Sequence, residues 1–205
     1  MGTTETPQAR PQRRRASGNV FLVGLMGAGK TSVGKLLAKH LAKTFCDCDQ
    51  EIESATGVKI PVIFEIEGEA GFRARETKML AELATRSDIV LATGGGAVLS
   101  AENRNLLKSN GTVVYLRAAA ADLWQRTRHD KNRPLLKTPE PLARLEQLHA
   151  ERDPLYASVA DIIVDSGSQS VAALVQRVEQ QLRQHLPAGR DSQRQRVGTS
   201  GNRSC

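Results

Sequence analysis

Cysteine and long apolar runs are both scarce in this 205-residue chain, and each scarcity narrows what the protein can be. Three cysteines, Cys46, Cys48 and Cys205, make no disulfide framework, which points to a reducing compartment. Cys46-Asp47-Cys48 has no histidine beside it and offers too few ligands for a closed zinc site, so buried strand cysteines are the expectation. No apolar run approaches the ~18 residues of a membrane-crossing helix, and no membrane partner is expected. The N-terminal stretch has basic residues but no apolar segment before Asn19, unlike a secretory signal. Residues 1–18 are Arg-rich with a single acid, as organellar transit segments are. They are nevertheless short and lack an amphipathic period, so a cytoplasmic location is expected.

The net charge of +7 suggests a nucleic-acid partner until it is mapped along the chain. Residues 1–18 carry +3 and residues 187–205 another +3, which leaves +1 for residues 19–186. Both ends lack aromatic and periodic apolar residues and are rich in Gln, Arg, Ser, Thr, Pro and Gly, a composition that predicts disordered basic tails. The folded body is then residues 19–186, and its near neutrality argues against a basic stripe, so no nucleic-acid partner is expected. The length suits one domain, and a monomer is expected.

What the chain does have is Gly24-Leu25-Met26-Gly27-Ala28-Gly29-Lys30-Thr31. It follows the apolar run Val20-Phe21-Leu22-Val23 and opens a helical pattern, Val33 to Leu41. Strand, glycine loop and helix is the context in which G-x-x-x-x-G-K-[ST] reads as a phosphate-binding loop. The loop amides and the positive end of the helix form an anion cradle, to which Gly27, Ala28, Gly29 and Ser32 contribute. Lys30 can reach the β- and γ-phosphates of a nucleotide, and the Thr31 hydroxyl can ligate Mg²⁺. A guanine-nucleotide switch is excluded, because no Asn/Thr-Lys-x-Asp segment and no Asp-x-x-Gly after a strand is present.

Further along, Thr44 to Asp49 reads as a short strand ending in acids, followed by a polar helix over 50–56. Ile60, Ile63, Phe64 and Ile66 recur at helical spacing, and Gly68 to Thr85 forms a longer helix with Phe72, Met79, Leu80 and Leu83 on its apolar face. Asp88 to Thr93 is a continuous apolar strand ending in Gly94-Gly95-Gly96. A helix near 100–108, a strand over 112–116 and a helix over 119–129 follow. A polar, Pro-bearing segment over 130–141, with a helix before it and no strand, predicts a lid near 129–141. Leu142 to Ala157 is a helix broken near Pro154, Asp161 to Val164 the last strand, and Val171 to Leu186 the last helix. Strands alternating with helices predict an α/β fold: a doubly wound, parallel five-stranded sheet with flanking helices, of the P-loop NTPase type. Ligands in such sheets sit at the carboxyl ends of the strands. The phosphate loop, Asp47 and Asp49, the triple glycine and Arg117 all follow strand ends.

Asp47 and Asp49 stand two apart and can point to one face. Phosphoryl transfer needs one acid near Mg²⁺ and another to orient or accept the proton of the attacking hydroxyl. A helix N-cap is the competing role, and the preceding phosphate loop tips the balance towards chemistry. Arg73, with Glu76 three residues on, reads equally as an i,i+3 ion pair. Arg133 and Arg152 are ordinary as isolated residues. Three consecutive glycines after a buried strand point to close backbone approach to a ligand.

Taken together, these segments resemble the shikimate kinase family over about residues 19–185. The resemblance rests on the phosphate loop, Phe45-Cys46-Asp47-Cys48-Asp49 with Ile52-Glu53, and Phe72-Arg73-x-x-Glu76. It continues through Gly94-Gly95-Gly96-Ala97, Arg133-Pro134-Leu135-Leu136 and Arg152-Asp153-Pro154-Leu155-Tyr156. It implies a nucleoside-monophosphate-kinase-like fold and ATP-dependent phosphorylation of the 3-hydroxyl of shikimate. Thr31 would then bind Mg²⁺ and Asp47 would reach it through water. Asp49 would hold the acceptor hydroxyls and serve as base, with Lys30 and Arg133 as catalytic cations. Arg73 and Arg152 would grip the carboxylate, with Gly95 beside the ring. Arg133 would close over the phosphates, and Arg126 and Gln169 would flank the nucleotide. A different small-molecule or nucleotide kinase on the same fold is the nearest rival, separated from this reading by its acceptor.

Overall fold

The structure is a computed structural model that describes residues 18–130, 134–136, 138–167 and 169–185. Residues 1–17 of the N-terminal tail, the whole C-terminal tail with Cys205, and Arg133 lie outside the described residues. Among the described residues five parallel strands form one sheet: β1 (Asn19–Val23), β2 (Thr44–Asp47), β3 (Ile89–Ala92), β4 (Gly111–Arg117) and β5 (Ile162–Asp165). Their spatial order is β2-β3-β1-β4-β5, so the chain reverses its winding around β1. The pairing is in register from Val20 with Val90 on one side to Val20 with Thr112 on the other. All residues of β1 and β3 are buried, whereas the edge strand β5 alternates buried and exposed. That is why the central strands read as continuous apolar runs and the edge does not.

Among the described residues seven helices connect and cover the strands: α1 (Lys30–Leu41), α2 (Cys48–Thr56), α3 (Ile60–Ala84), α4 (Ala101–Asn110), α5 (Ala120–Thr127), α6 (Pro141–Val159) and α7 (Val171–His185). A short 3₁₀ turn, Ala97–Leu99, follows the triple glycine, and another, Pro134–Leu136, precedes α6. Among the described residues no helix is long and apolar enough to cross a membrane. The core runs from Val20 to Leu182, with Phe21, Leu22, Leu37, Leu80, Leu91 and Leu116 sealed inside it.

Four local expectations need correction. β2 ends at Asp47, because the Asp47 carboxylate caps α2 by accepting from the backbone N–H groups of Asp49 and Gln50. Asp49 therefore stands in the first turn of a helix and not at a strand end. Cys46 is a buried strand cysteine as expected, but Cys48 is buried as the first residue of α2. α6 continues through Pro154. A proline inside a helix forfeits one hydrogen bond, and here buried Leu148, Tyr156 and Val159 pin both halves to the core. Ile66 is 75% exposed. The apolar face of that stretch is Ile60, Ile63 and Phe64, and the helix direction breaks at Gly68, with φ 70 and ψ −177, before a new face begins at Phe72.

Candidate active site

The carboxyl ends of the strands meet around one cleft of about 870 Å³. Its floor is the glycine loop. Gly24 has φ 140, and a Cβ there would stand 2.6 Å from Leu116 O, so the chain can turn beneath the end of β4 only without a side chain. The loop delivers its amides to the N-terminus of α1, and residues 27–32 line the cleft. Lys30 Nζ donates to Gly24 O at 2.6 Å and Leu25 O at 3.0 Å, which holds the ammonium against the loop. Thr31 Oγ1 donates to Asp47 Oδ2 at 2.7 Å, while Asp47 Oδ1 is the α2 cap. The cap of α2 is thus Asp47 and not Asp49, and its second oxygen stands with Thr31 beside the anion cradle. Two hard oxygen donors beside an anion cradle suit a cation that keeps most of its own water, as Mg²⁺ does. Among the described residues no group of three or more His, Cys, Asp or Glu could hold a metal ion.

On the other side of the cleft stand Asp49, Arg73, Glu76 and Arg152. Burial pushes the Asp49 carboxyl up to about 7, helped by the negative charges of Glu76 and Asp47, against the pull of Lys30 and Arg73. Glu76 is fully buried, and that burial raises its pKa although Arg73 opposes the shift. Arg73 Nη1 donates to Glu76 Oε2 at 2.8 Å, so the i,i+3 pair exists, but in the cleft wall and not in solvent. The triple glycine makes room for this pair: a Cβ at Gly94 would collide with Glu76 Oε1, and one at Gly96 with the Arg73 guanidinium.

Gly95 faces the other way. Its carbonyl accepts from Arg152 Nη1 at 3.2 Å and from the Tyr156 hydroxyl, both on α6. Tyr156 stacks on Tyr115 with ring centroids 4.9 Å apart, and the Tyr115 hydroxyl donates to Asp153 Oδ1 at 2.7 Å. Burial raises both phenol pKa values, so the rings remain neutral donors. Arg152 itself is 3% exposed.

Near the loop, Arg126 donates to Gly27 O at 3.2 Å and to the carbonyls of Ser166, at 2.8 Å, and Gly167. It ties the phosphate loop to the segment after β5, where Gln169 also borders the cleft. Every site residue expected from the sequence lines this one cleft except Arg133, which lies outside the described residues. Arg117, expected near the strand ends without a role, pairs at the surface with Asp165 at 2.7 Å. Glu76 and Tyr156 had no site role expected from the sequence, although both stand in segments that carry the family resemblance. Ile60, Phe64 and Phe72 form an apolar wall of the cleft that no sequence motif marked.

Among the described residues, four buried side-chain atoms have no hydrogen-bond partner: Asp49 Oδ1, Glu76 Oε1, Arg152 Nε and Asn103 Oδ1. Three of these four belong to residues lining the cleft. Buried polar groups are normally satisfied, so orphans concentrated in one wall mark where a polar ligand belongs. An acceptor beside a phosphate cradle, backed by two guanidinium groups, can hold a small hydroxylated carboxylate.

Comparison with known proteins agrees with this geometry. The family model described as shikimate kinase matches residues 26–183. Shikimate kinase of Nitrosospira multiformis is 62% identical over 82% of this chain and 87% of its own. That of Burkholderia lata is 60% identical over 83% and 93%. Among solved structures, shikimate kinase from Acinetobacter baumannii in complex with shikimate superposes with a TM-score of 0.81 at 48% identity, covering 83% of this chain and 95% of that one. A gluconokinase from Sinorhizobium meliloti, at 17% identity and a TM-score of 0.52, shares the fold alone.

Proposed function

The chain belongs to the shikimate kinase family, and from that premise we propose which of its residues carry the family reaction. In that reaction ATP phosphorylates the 3-hydroxyl of shikimate. The acceptor oxygen attacks the γ-phosphorus, the bond from that phosphorus to the β,γ-bridging oxygen breaks, and ADP leaves with the electron pair. The observation that carries the assignment is the orphaned Asp49 Oδ1, a buried acceptor with Lys30 and Arg73 as its nearby positive charges. Asp49 accepts the hydrogen bond of the 3-hydroxyl and takes its proton as the new bond forms. A carboxyl held near 7 is suited to this, because a base works best when its pKa lies near the operating pH.

Residues 27–32 and Lys30 bind the phosphates, and Lys30 meets the charge that develops on the transferred group. Thr31 and Asp47 would hold Mg²⁺, directly and through water respectively, and the ion would neutralise phosphate charge when bound. Arg73 and Arg152 grip the shikimate carboxylate, with the Gly95 backbone beside the ring. Arg126 and Gln169 flank the nucleotide, and Arg133, which lies outside the described residues, is assigned to the phosphates. A monomer in the cytoplasm, with no nucleic-acid or membrane partner, completes the reading.

Arg152→Lys tests the acceptor assignment. It keeps the charge and removes the planar fork. One charge-assisted hydrogen bond contributes ~1.5–3 kcal/mol, so shikimate KM is expected to rise roughly ten- to a hundredfold while ATP KM stays in place. Steady-state titrations that weaken ATP and spare shikimate would move the acceptor site elsewhere.

A further inference from the structure

We propose that Glu69 is a built-in competitor for the acceptor carboxylate at Arg73, and that it sets how tightly the acceptor site holds its substrate. The inference rests on the reading that Arg73 grips that carboxylate. Three things surround the Arg73 guanidinium. The Gly96 backbone lies against it so closely that a Cβ would collide, and buried Glu76 accepts from Nη1 at 2.8 Å. The third is Glu69, whose Oε1 accepts from both Nε, at 3.3 Å, and Nη2, at 2.9 Å.

That Nε/Nη2 edge is one of the paired donor edges with which arginine holds a carboxylate bidentately. An incoming carboxylate that uses it must displace the one already there. Gly96 is backbone and Glu76 has no exposed surface, whereas the Glu69 side chain is 46% exposed and can turn into water. Glu69 is also the first residue beyond the break at Gly68, so its stem starts the second half of α3 and is free of a preceding helical turn. An exposed partner of this kind binds weakly enough to yield to substrate and strongly enough to tax its affinity. A carboxylate in the resting fork also disfavours neutral acceptors, which could not repay the loss of the ion pair.

Calorimetric titration of shikimate into the full-length protein tests this, using Glu69→Ala, Glu69→Gln, Glu67→Ala and Arg73→Ala. Glu67 controls for charge alone, since it removes a nearby negative charge whose partner is Arg75, at 2.6 Å, and not Arg73. Both Glu69 variants are expected to lower the shikimate Kd about two- to fivefold, the range an exposed ion pair spans. Glu67→Ala is expected to leave that Kd unchanged. Loss of a purely structural contact can lower the melting temperature but cannot tighten binding. A Kd unchanged or raised in both Glu69 variants overturns the proposal, as does equal tightening by Glu67→Ala. If Arg73→Ala itself leaves the Kd unchanged, the failure lies with the carboxylate site and not with Glu69.

Discussion

At the scale of single residues, the two aspartates divide the work. Asp47 uses one oxygen to cap α2 and the other to accept from Thr31, while Asp49 keeps one oxygen unpartnered. Asp49→Asn keeps shape and hydrogen bonding but cannot take a proton, so kcat should fall ~10²-fold or more with a smaller change in shikimate KM. The same variant has a stability signature. The Asp49 pKa is raised from 3.8 to about 7, so the folded state holds that proton more tightly than the unfolded chain. This favours folding below about pH 4, and the advantage is lost as pH rises through about 7. Above that, a buried carboxylate opposes folding. Metal- and nucleotide-free Asp49→Asn protein should therefore melt several degrees higher than wild type at pH 8, with the difference vanishing near pH 4. A difference that persists at pH 4 would assign it to packing instead of charge. The sequence displayed this acid pair at once but not the division between its members, because the division depends on a cap that moves the start of α2 by two residues. Glu76 was harder still, since an i,i+3 partner looks the same in solvent as in a cleft wall.

At the scale of elements, the triple glycine and α6 act as one unit. Gly96 leaves room for Arg73, and α6 holds the Gly95 carbonyl through Arg152 and Tyr156. Gly96 has φ −99 and ψ −2, which alanine also adopts, so Gly96→Ala should spare the fold and push the flexible guanidinium aside. Shikimate KM is then expected to rise on the order of tenfold, the loss of about one charge-assisted hydrogen bond, with ATP KM little changed. Equal loss for both substrates in steady-state titrations would point to a collapsed loop. The strands were legible here, because β1, β3 and β4 are buried on both faces and their apolar runs are unbroken. α6 was not, because a proline tolerated in mid-helix owes its place to Tyr156 and Val159 packing after it, contacts that no local pattern displays.

At the scale of the whole molecule, the phosphate loop and the alternation of strands and helices sufficed for the fold class, since a parallel sheet with right-handed crossovers leaves few arrangements. The convergence of Arg73, Gly95 and Arg152, from α3, the loop after β3 and α6, depends on that sheet order and was legible only through the family resemblance. The buried core closes between Val20 and Leu182. We propose that residues 1–17 and 188–205 are dispensable: their removal should change neither the melting temperature nor kcat/KM appreciably. A loss of several degrees, or a tenfold drop in rate, would show that an end docks on the domain. The choice of acceptor is the central claim, because the fold itself is shared with kinases of other substrates. It is tested most directly by coupled ADP release from Mg-ATP with shikimate, quinate, gluconate and nucleoside monophosphates in parallel. The account expects shikimate to have the highest kcat/KM of the panel, and a higher value for any other acceptor would contradict it.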